Sequence, residues 1–278
     1  MLLDSDGCVF DTMTVKHRKC FIPLTVSFWG LGGICSAATE TLEYVNLYSA
    51  FRGANRFRSL VKALRMIERR AEAVDAVISF PGLKELEKWL ESEDKPSIPS
   101  LKRYIEYHPG EKTLVTALEW SEAVNKALSE LSCEMPPFEG ATRCIERVFE
   151  FADIAVVSTS PEKIVAGEWS DYGLIRFVGA LKGQESGRKT DTVKQLIRGY
   201  DKERVLMLGD AFGDREAARQ NGIHFFPVIP GQEKESWRRF MTEGIERFKE
   251  CGFGESYQSA LDGLYDESMN LSPDWLNQ

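Results

Sequence analysis

The chain has 278 residues, 43% of them hydrophobic and 28% charged, with a formal net charge of −8. That length and balance describe a soluble globular protein of one large or two smaller domains, and the acidic charge gives no nucleic-acid footprint. Six dispersed cysteines (Cys8, Cys20, Cys35, Cys133, Cys144, Cys251) form no Cys-x-x-Cys pair, which argues against structural zinc and for reduced thiols in the cytoplasm.

In chain order, Met1 to Leu3 read as a short buried strand running into Asp4-Ser5-Asp6-Gly7. Three residues make a very short strand, and an edge position in a sheet is open to it. Asp4 and Asp6 stand at i and i+2, so on a regular strand they point the same way, and their charges repel unless a cation or shared proton intervenes. A metal or catalytic role and a plain Asp-Gly turn are both open from this stretch alone. Cys8 beside them reads as a small buried filler rather than a reactive thiol. Asp4 and Asp6 interrupt the apolar start early, so no signal peptide is expected. Cys20 to Thr39 carries no charge, but Pro23, Gly30, Gly32 and Gly33 break it, so the expectation is a buried helix ending near Gly30 and no membrane span.

From Thr14 to Met135 the pattern is helical almost throughout. Asn55 can cap a helix in which Phe57, Leu60, Val61, Leu64 and Ile67 recur at helical spacing. Leu83, Leu86 and Leu90 mark another, Glu91 to Ser100 reads as a loop, and Leu114 to Leu128 predict more helix up to Ser132. Between Thr14 and Arg70 ten basic residues face three acids, a basic island in an acidic chain. An anionic ligand and a solvated helix face both account for it. Pro136-Pro137 opens a second regime of alternating helix and strand. Strands are expected at 154–157, 176–180, 205–208 and 224–229, with helices at 141–151, 190–198 and 214–221. The fold class is therefore α/β: a doubly wound, parallel-sheet, Rossmann-like core with an all-helical domain inserted near the amino terminus. After Pro230 the chain is helical, with Trp237, Phe240, Ile245 and Phe248 as its apolar face.

The chemistry gathers at strand ends. Ile154 to Val157 ends in Ser158-Thr159-Ser160-Pro161, either an anion site or a helix cap. Gly187-Arg188-Lys189-Thr190 opens a helix with a lysine suited to phosphate, though a surface lysine is the usual case. Val205 to Leu208 runs into Gly209-Asp210-Ala211-Phe212-Gly213-Asp214. Four carboxylates, a hydroxyl and a lysine thus fall on one edge of one sheet. Hard oxygens of this kind suit Mg²⁺, and the dispersed His17, His108 and His224 offer no softer alternative.

Taken with their order and spacing, these segments resemble the haloacid dehalogenase superfamily in its Mg²⁺-dependent phosphatase branch. DSDGCVFDT at 4–12, VVSTS at 156–160, Lys189 in GRKTD and GDAFGD at 209–214 match its four motifs in turn. The resemblance implies that Asp4 is the nucleophile forming an aspartyl-phosphate and that Asp6 is the general acid and base. It implies that Asp4, the Asp6 backbone carbonyl, Asp210 and Asp214 hold Mg²⁺. Ser158 and Lys189, with backbone N–H groups near Thr159, would hold the phosphoryl oxygens. It divides the chain into a core of 1–13 and 136–230, a helical cap of 14–135 and a helical extension of 231–278 packed on the core. Having Asp6 favours phosphate esters over haloacids and phosphonates. Caps of this family supply specificity, which makes Lys16, Arg52, Asn55 and Arg56 the candidate contacts to a small anionic phosphorylated substrate. A phosphomutase of the same family, and a non-catalytic phospholigand-binding protein on this fold, are the alternatives. Neither nucleic acid nor membrane is expected as a partner, and the oligomeric state is not legible.

Overall fold

In the computed structural model the described residues are 1–131, 134–269 and 273–277. The chain divides into two compact units, Met1–Met13 with Glu134–Leu271 and Thr14–Cys133 with Ser272–Gln278.

The first unit is the α/β core. Its strands are β1 (Leu2–Leu3), β2 (Ala155–Val157), β3 (Ala180–Lys182), β4 (Leu206–Gly209) and β5 (His224–Pro227), in the order β3-β2-β1-β4-β5. Every pairing is parallel. The strands are apolar on both faces because both faces are covered. Leu3, Val156, Leu208 and Phe226 enter one cluster, with Ile145, Trp169 and Trp237 from helices on that side. Leu2, Val157, Met207 and Phe225 enter another, with Val193, Ala217 and Tyr265. This is the doubly wound architecture expected from the sequence.

Two local expectations are corrected. β1, for which an edge was open, is the central strand: Leu2 meets Ala155 on one side and Met207 on the other. The strand expected at 176–180 lies later, at Ala180–Lys182. Residues Ile175–Phe177 form a 3₁₀ turn instead, closed by Phe177 N–H to Leu174 O and Val178 N–H to Ile175 O. Pairing begins only where Gly179 N–H reaches Ile154 O, which sets Ala155 against Ala180.

The second unit is helical, and none of its described residues is in a strand. It has its own core, in which Phe57 packs edge-on to Trp89 at 5.0 Å and Trp120 at 6.2 Å. Asn55 caps Arg56–Ile67, accepting from Phe57 N–H at 3.0 Å. The expected loop to Ser100 is shorter, because Ser97 caps a helix over Ile98–Tyr107 and Pro99 is tolerated in its first turn. The helix expected up to Ser132 covers Lys112–Ser129, and Ser132 lies outside the described residues. A π-helical turn, His17–Phe21, precedes the helix Ile22–Phe28. No described helix is long and apolar enough to cross a membrane.

Candidate active site at the switch point of the sheet

The strand order reverses direction between β1 and β4, and a crevice at the carboxyl ends of the strands is the usual consequence. Asp4 follows β1 and Asp210 follows β4, so both stand at that point. Asp4 N–H continues the ladder to Leu208 O at 3.0 Å. The chain then turns sharply. Gly7 has φ 80°, a left-handed conformation that glycine adopts without strain, and its N–H bonds Phe10 O at 2.8 Å. Ser5 O accepts the N–H groups of Cys8, Val9 and Phe10. Two tryptophans pin this loop: Trp169 donates to Ser5 Oγ and Trp237 to Cys8 O, each at 3.0 Å. Cys8 is fully buried, and burial, then the carboxylate of Asp210, pushes its thiol well above the usual range, as befits a filler.

Asp4, Asp210 and Asp214 bring carboxylate oxygens within 4.8 Å of one another, and all three residues are buried. Lys189, at the start of the helix Lys189–Leu196, places Nζ 2.8 Å from Asp4 Oδ1 and 2.5 Å from Asp214 Oδ1. The other oxygen of Asp214 accepts from Ala211 N–H at 3.0 Å. Gly209, the last residue of β4, makes room for this: a Cβ there would lie 2.3 Å from Asp214 Cβ. Burial raises the Asp4 pKa well above the carboxylate range, Asp214 adds to the rise, and Lys189 opposes it. Burial alone would depress the Lys189 ammonium, but Asp214 and Asp4 outweigh it and hold its pKa above the ordinary lysine value. Three buried carboxylates against one ammonium leave an excess of negative charge, and their hard oxygens fit a small divalent cation.

Asp6 lies outside that triad of side chains. Thr12 Oγ1 donates to its Oδ1, and Ser160 Oγ donates to its Oδ2 at 2.5 Å. Both hydroxyls fall inside the matched segments 4–12 and 156–160, but nothing in the sequence assigned them a role. Ser158, after β2, is buried; its N–H bonds Lys182 O and its hydroxyl accepts Ser160 N–H at 3.1 Å. Thr159 beside it is exposed. A separate cavity of about 660 Å³ lies at the other end of the sheet, lined by Met1, Ile154, Ala180 and Val205. Within it the Met1 amine donates to Asp153 O and the Tyr200 hydroxyl to Asp153 Oδ2.

The four candidate contacts of the helical unit differ in what they do there. Asn55 is committed to structure, through its cap and its amide bond to Pro96 O at 2.8 Å. Arg52 is buried and donates to Leu47 O at 3.0 Å. Arg56 reaches Ser121 and Asn125. Lys16 ends the short helix Thr12–Lys16 and is half-buried.

No protein-family model matches the chain, and no curated protein matches it. Solved structures do. A putative phosphoglycolate phosphatase from Lactobacillus delbrueckii subsp. bulgaricus is 17% identical over 81% of this chain and 83% of that one, with a TM-score of 0.48. A haloacid dehalogenase-like family hydrolase from Streptococcus pneumoniae is 11% identical over 85% and 89%, at 0.46. A putative β-phosphoglucomutase from Thermotoga maritima is 12% identical over 86% and 97%, at 0.41. Likeness of this degree speaks to neither activity nor substrate.

Proposed function

We propose that this chain is a phosphohydrolase of the haloacid dehalogenase type, a Mg²⁺-dependent hydrolase of a small phosphomonoester. The observation that carries the reading is the buried triad Asp4, Asp210 and Asp214 with Lys189 bonded to two of its members. Asp4, Asp210, Asp214 and the backbone carbonyl of Asp6 would hold the ion, which when bound neutralises charge on the phosphoryl group and keeps Asp4 ionised.

The chain's own residues account for the rest. Lys189 and the Ser158 hydroxyl, with backbone N–H groups beside Thr159, hold the phosphoryl oxygens. The Asp4 carboxylate attacks phosphorus, and the bond to the ester oxygen breaks. Asp6 gives its proton to that oxygen, so the alcohol leaves neutral. Asp6 then takes a proton from water, which attacks phosphorus and breaks the bond to Asp4, releasing inorganic phosphate. Thr12 and Ser160 hold Asp6 in one orientation through both transfers.

The test is phosphate release from a panel of phosphorylated metabolites, with and without Mg²⁺, beside Asp4→Asn. Release that needs Mg²⁺ and falls at least ~10³-fold in Asp4→Asn is expected. Release at the original rate from Asp4→Asn would overturn the mechanism. Binding of phosphate analogues without release would favour a mutase or a binding protein.

A further inference from the structure

The last helix of the core unit, Glu255–Met269, belongs to the extension beyond Pro230, and its inner side chains fall in two rows at four-residue spacing. Leu261, Tyr265 and Met269 form a buried row. Gln258, Asp262 and Asp266 form a bonded one. Gln258 closes the edge of β5, accepting from Phe225 N–H at 3.0 Å and donating to Phe225 O at 2.9 Å. Asp262 pairs with Arg219 at 3.2 Å, and Asp266 with Arg215 at 2.5 Å. Arg215 and Arg219 stand four residues apart on the helix Phe212–Asn221, so the two helices face each other in antiparallel order.

That second helix opens inside the candidate site. Asp210 precedes it, and Asp214 lies in its first turn. Tyr265 touches both ends of this stretch. Its hydroxyl donates to Asp210 O over a long 3.4 Å, and its ring lies 4.6 Å from the guanidinium of Arg215, the neighbour of Asp214. The Phe212 ring lies 5.4 Å from the same guanidinium. Arg215 is only 6% exposed, and burying a guanidinium costs solvation that docking alone does not require. Docking is already served by the apolar row and by Gln258.

Three buried carboxylates within 4.8 Å repel one another, so the 210–214 stretch gains by spreading unless something holds it. Lys189 holds the side chains of Asp4 and Asp214. Tyr265 and Arg215 hold the backbone that carries Asp210 and Asp214. We propose that Tyr265, with Arg215 and Asp266, is a positioning group for these carboxylates. The terminal helix keeps them gathered in advance, so that binding an ion does not bear the cost of assembling its ligands. The inference rests on the phosphohydrolase reading for the identity of the ion, and it gives the terminal extension a part in that site.

Mg²⁺ is titrated by calorimetry into the full chain and into its Tyr265→Phe, Arg215→Lys and Gln258→Ala variants at constant ionic strength, and chemical denaturation gives the stability of each. The unmodified chain is expected to bind with a Kd on the order of 1 mM. Tyr265→Phe, which removes only the hydroxyl, weakens binding about three- to tenfold. Arg215→Lys keeps the charge but not the planar group between two rings, and weakens it about tenfold or more. Gln258→Ala frees the β5 edge about two helical turns from Tyr265; it lowers the denaturation midpoint but leaves the Kd within about twofold. Metal affinity thus separates positioning from docking. Unchanged affinity in folded Tyr265→Phe and Arg215→Lys overturns the inference, and Tyr265→Phe decides alone if Arg215→Lys does not fold. A loss in Gln258→Ala as large as theirs overturns it too, because the helix then only docks. No Mg²⁺ binding by the unmodified chain overturns the metal reading of the site itself, and this inference with it.

Discussion

Asp6 receives a hydroxyl on each carboxylate oxygen, Thr12 on one and Ser160 on the other. Bonds to a charged acceptor are worth about 1.5–3 kcal/mol each. If they orient Asp6 for proton transfer, Ser160→Ala or Thr12→Val lowers kcat by roughly 10–100-fold and leaves KM nearly unchanged. Steady-state kinetics decides it, since an unaltered kcat would reduce both hydroxyls to local packing. At this scale the sequence was informative about charge and poor about partners. Asp4, Asp210, Asp214 and Lys189 stand out because acids and a lysine at the ends of buried strands have few bland explanations. Ser160 and Thr12 do not, because a hydroxyl near a proline or a helix start is ordinary capping chemistry. Tyr265 was equally hidden: only the fold shows that its hydroxyl reaches Asp210 O and its ring the Arg215 guanidinium.

Elements carry the site through backbone fit. β4 ends on Gly209, where any Cβ would meet the Asp214 side chain. In Gly209→Ala, then, Asp214 must swing out of its bonds to Lys189 and Ala211 N–H. Overpacking of this kind costs about 1–3 kcal/mol, readable by chemical denaturation, and if the triad holds Mg²⁺ as proposed, the affinity measured by calorimetry should fall with it. Unchanged stability and affinity would mean that the strand end yields easily. The buried apolar runs of β2, β4 and β5 were legible because a parallel sheet covered on both faces leaves them no polar alternation. β3 was not, since its register follows from the Gly179 bond to Ile154 and not from its own residues. The π-helical turns at His17–Phe21 and Phe240–Gly244 were invisible too, because hydrophobic spacing does not report one extra residue per turn.

At the scale of the molecule, two separately cored units were legible as a change of pattern at Pro136-Pro137. The chain's last described residues were not, having been read with the rest of the terminal extension. Trp275 packs edge-on to Tyr44 at 5.8 Å and lies under the Arg70 guanidinium at 4.4 Å, all within the helical unit. Such contacts are worth roughly 1–3 kcal/mol together. Trp275→Ala should therefore speed amide exchange in Cys35–Leu47 and Arg56–Ile67 while the strands keep their protection; unchanged exchange there would make the contact superficial. The central place of β1 has a further consequence, for the order of assembly. Its partners are Ala155 and Met207, so the middle of the sheet cannot close until β4 has emerged from the ribosome. At ordinary elongation speeds a wait of roughly 10–40 s separates the making of Asp4 from its burial. The first acid of the site is thus translated early and enclosed late, while the helical unit, emerging in between, has its own core to fold around.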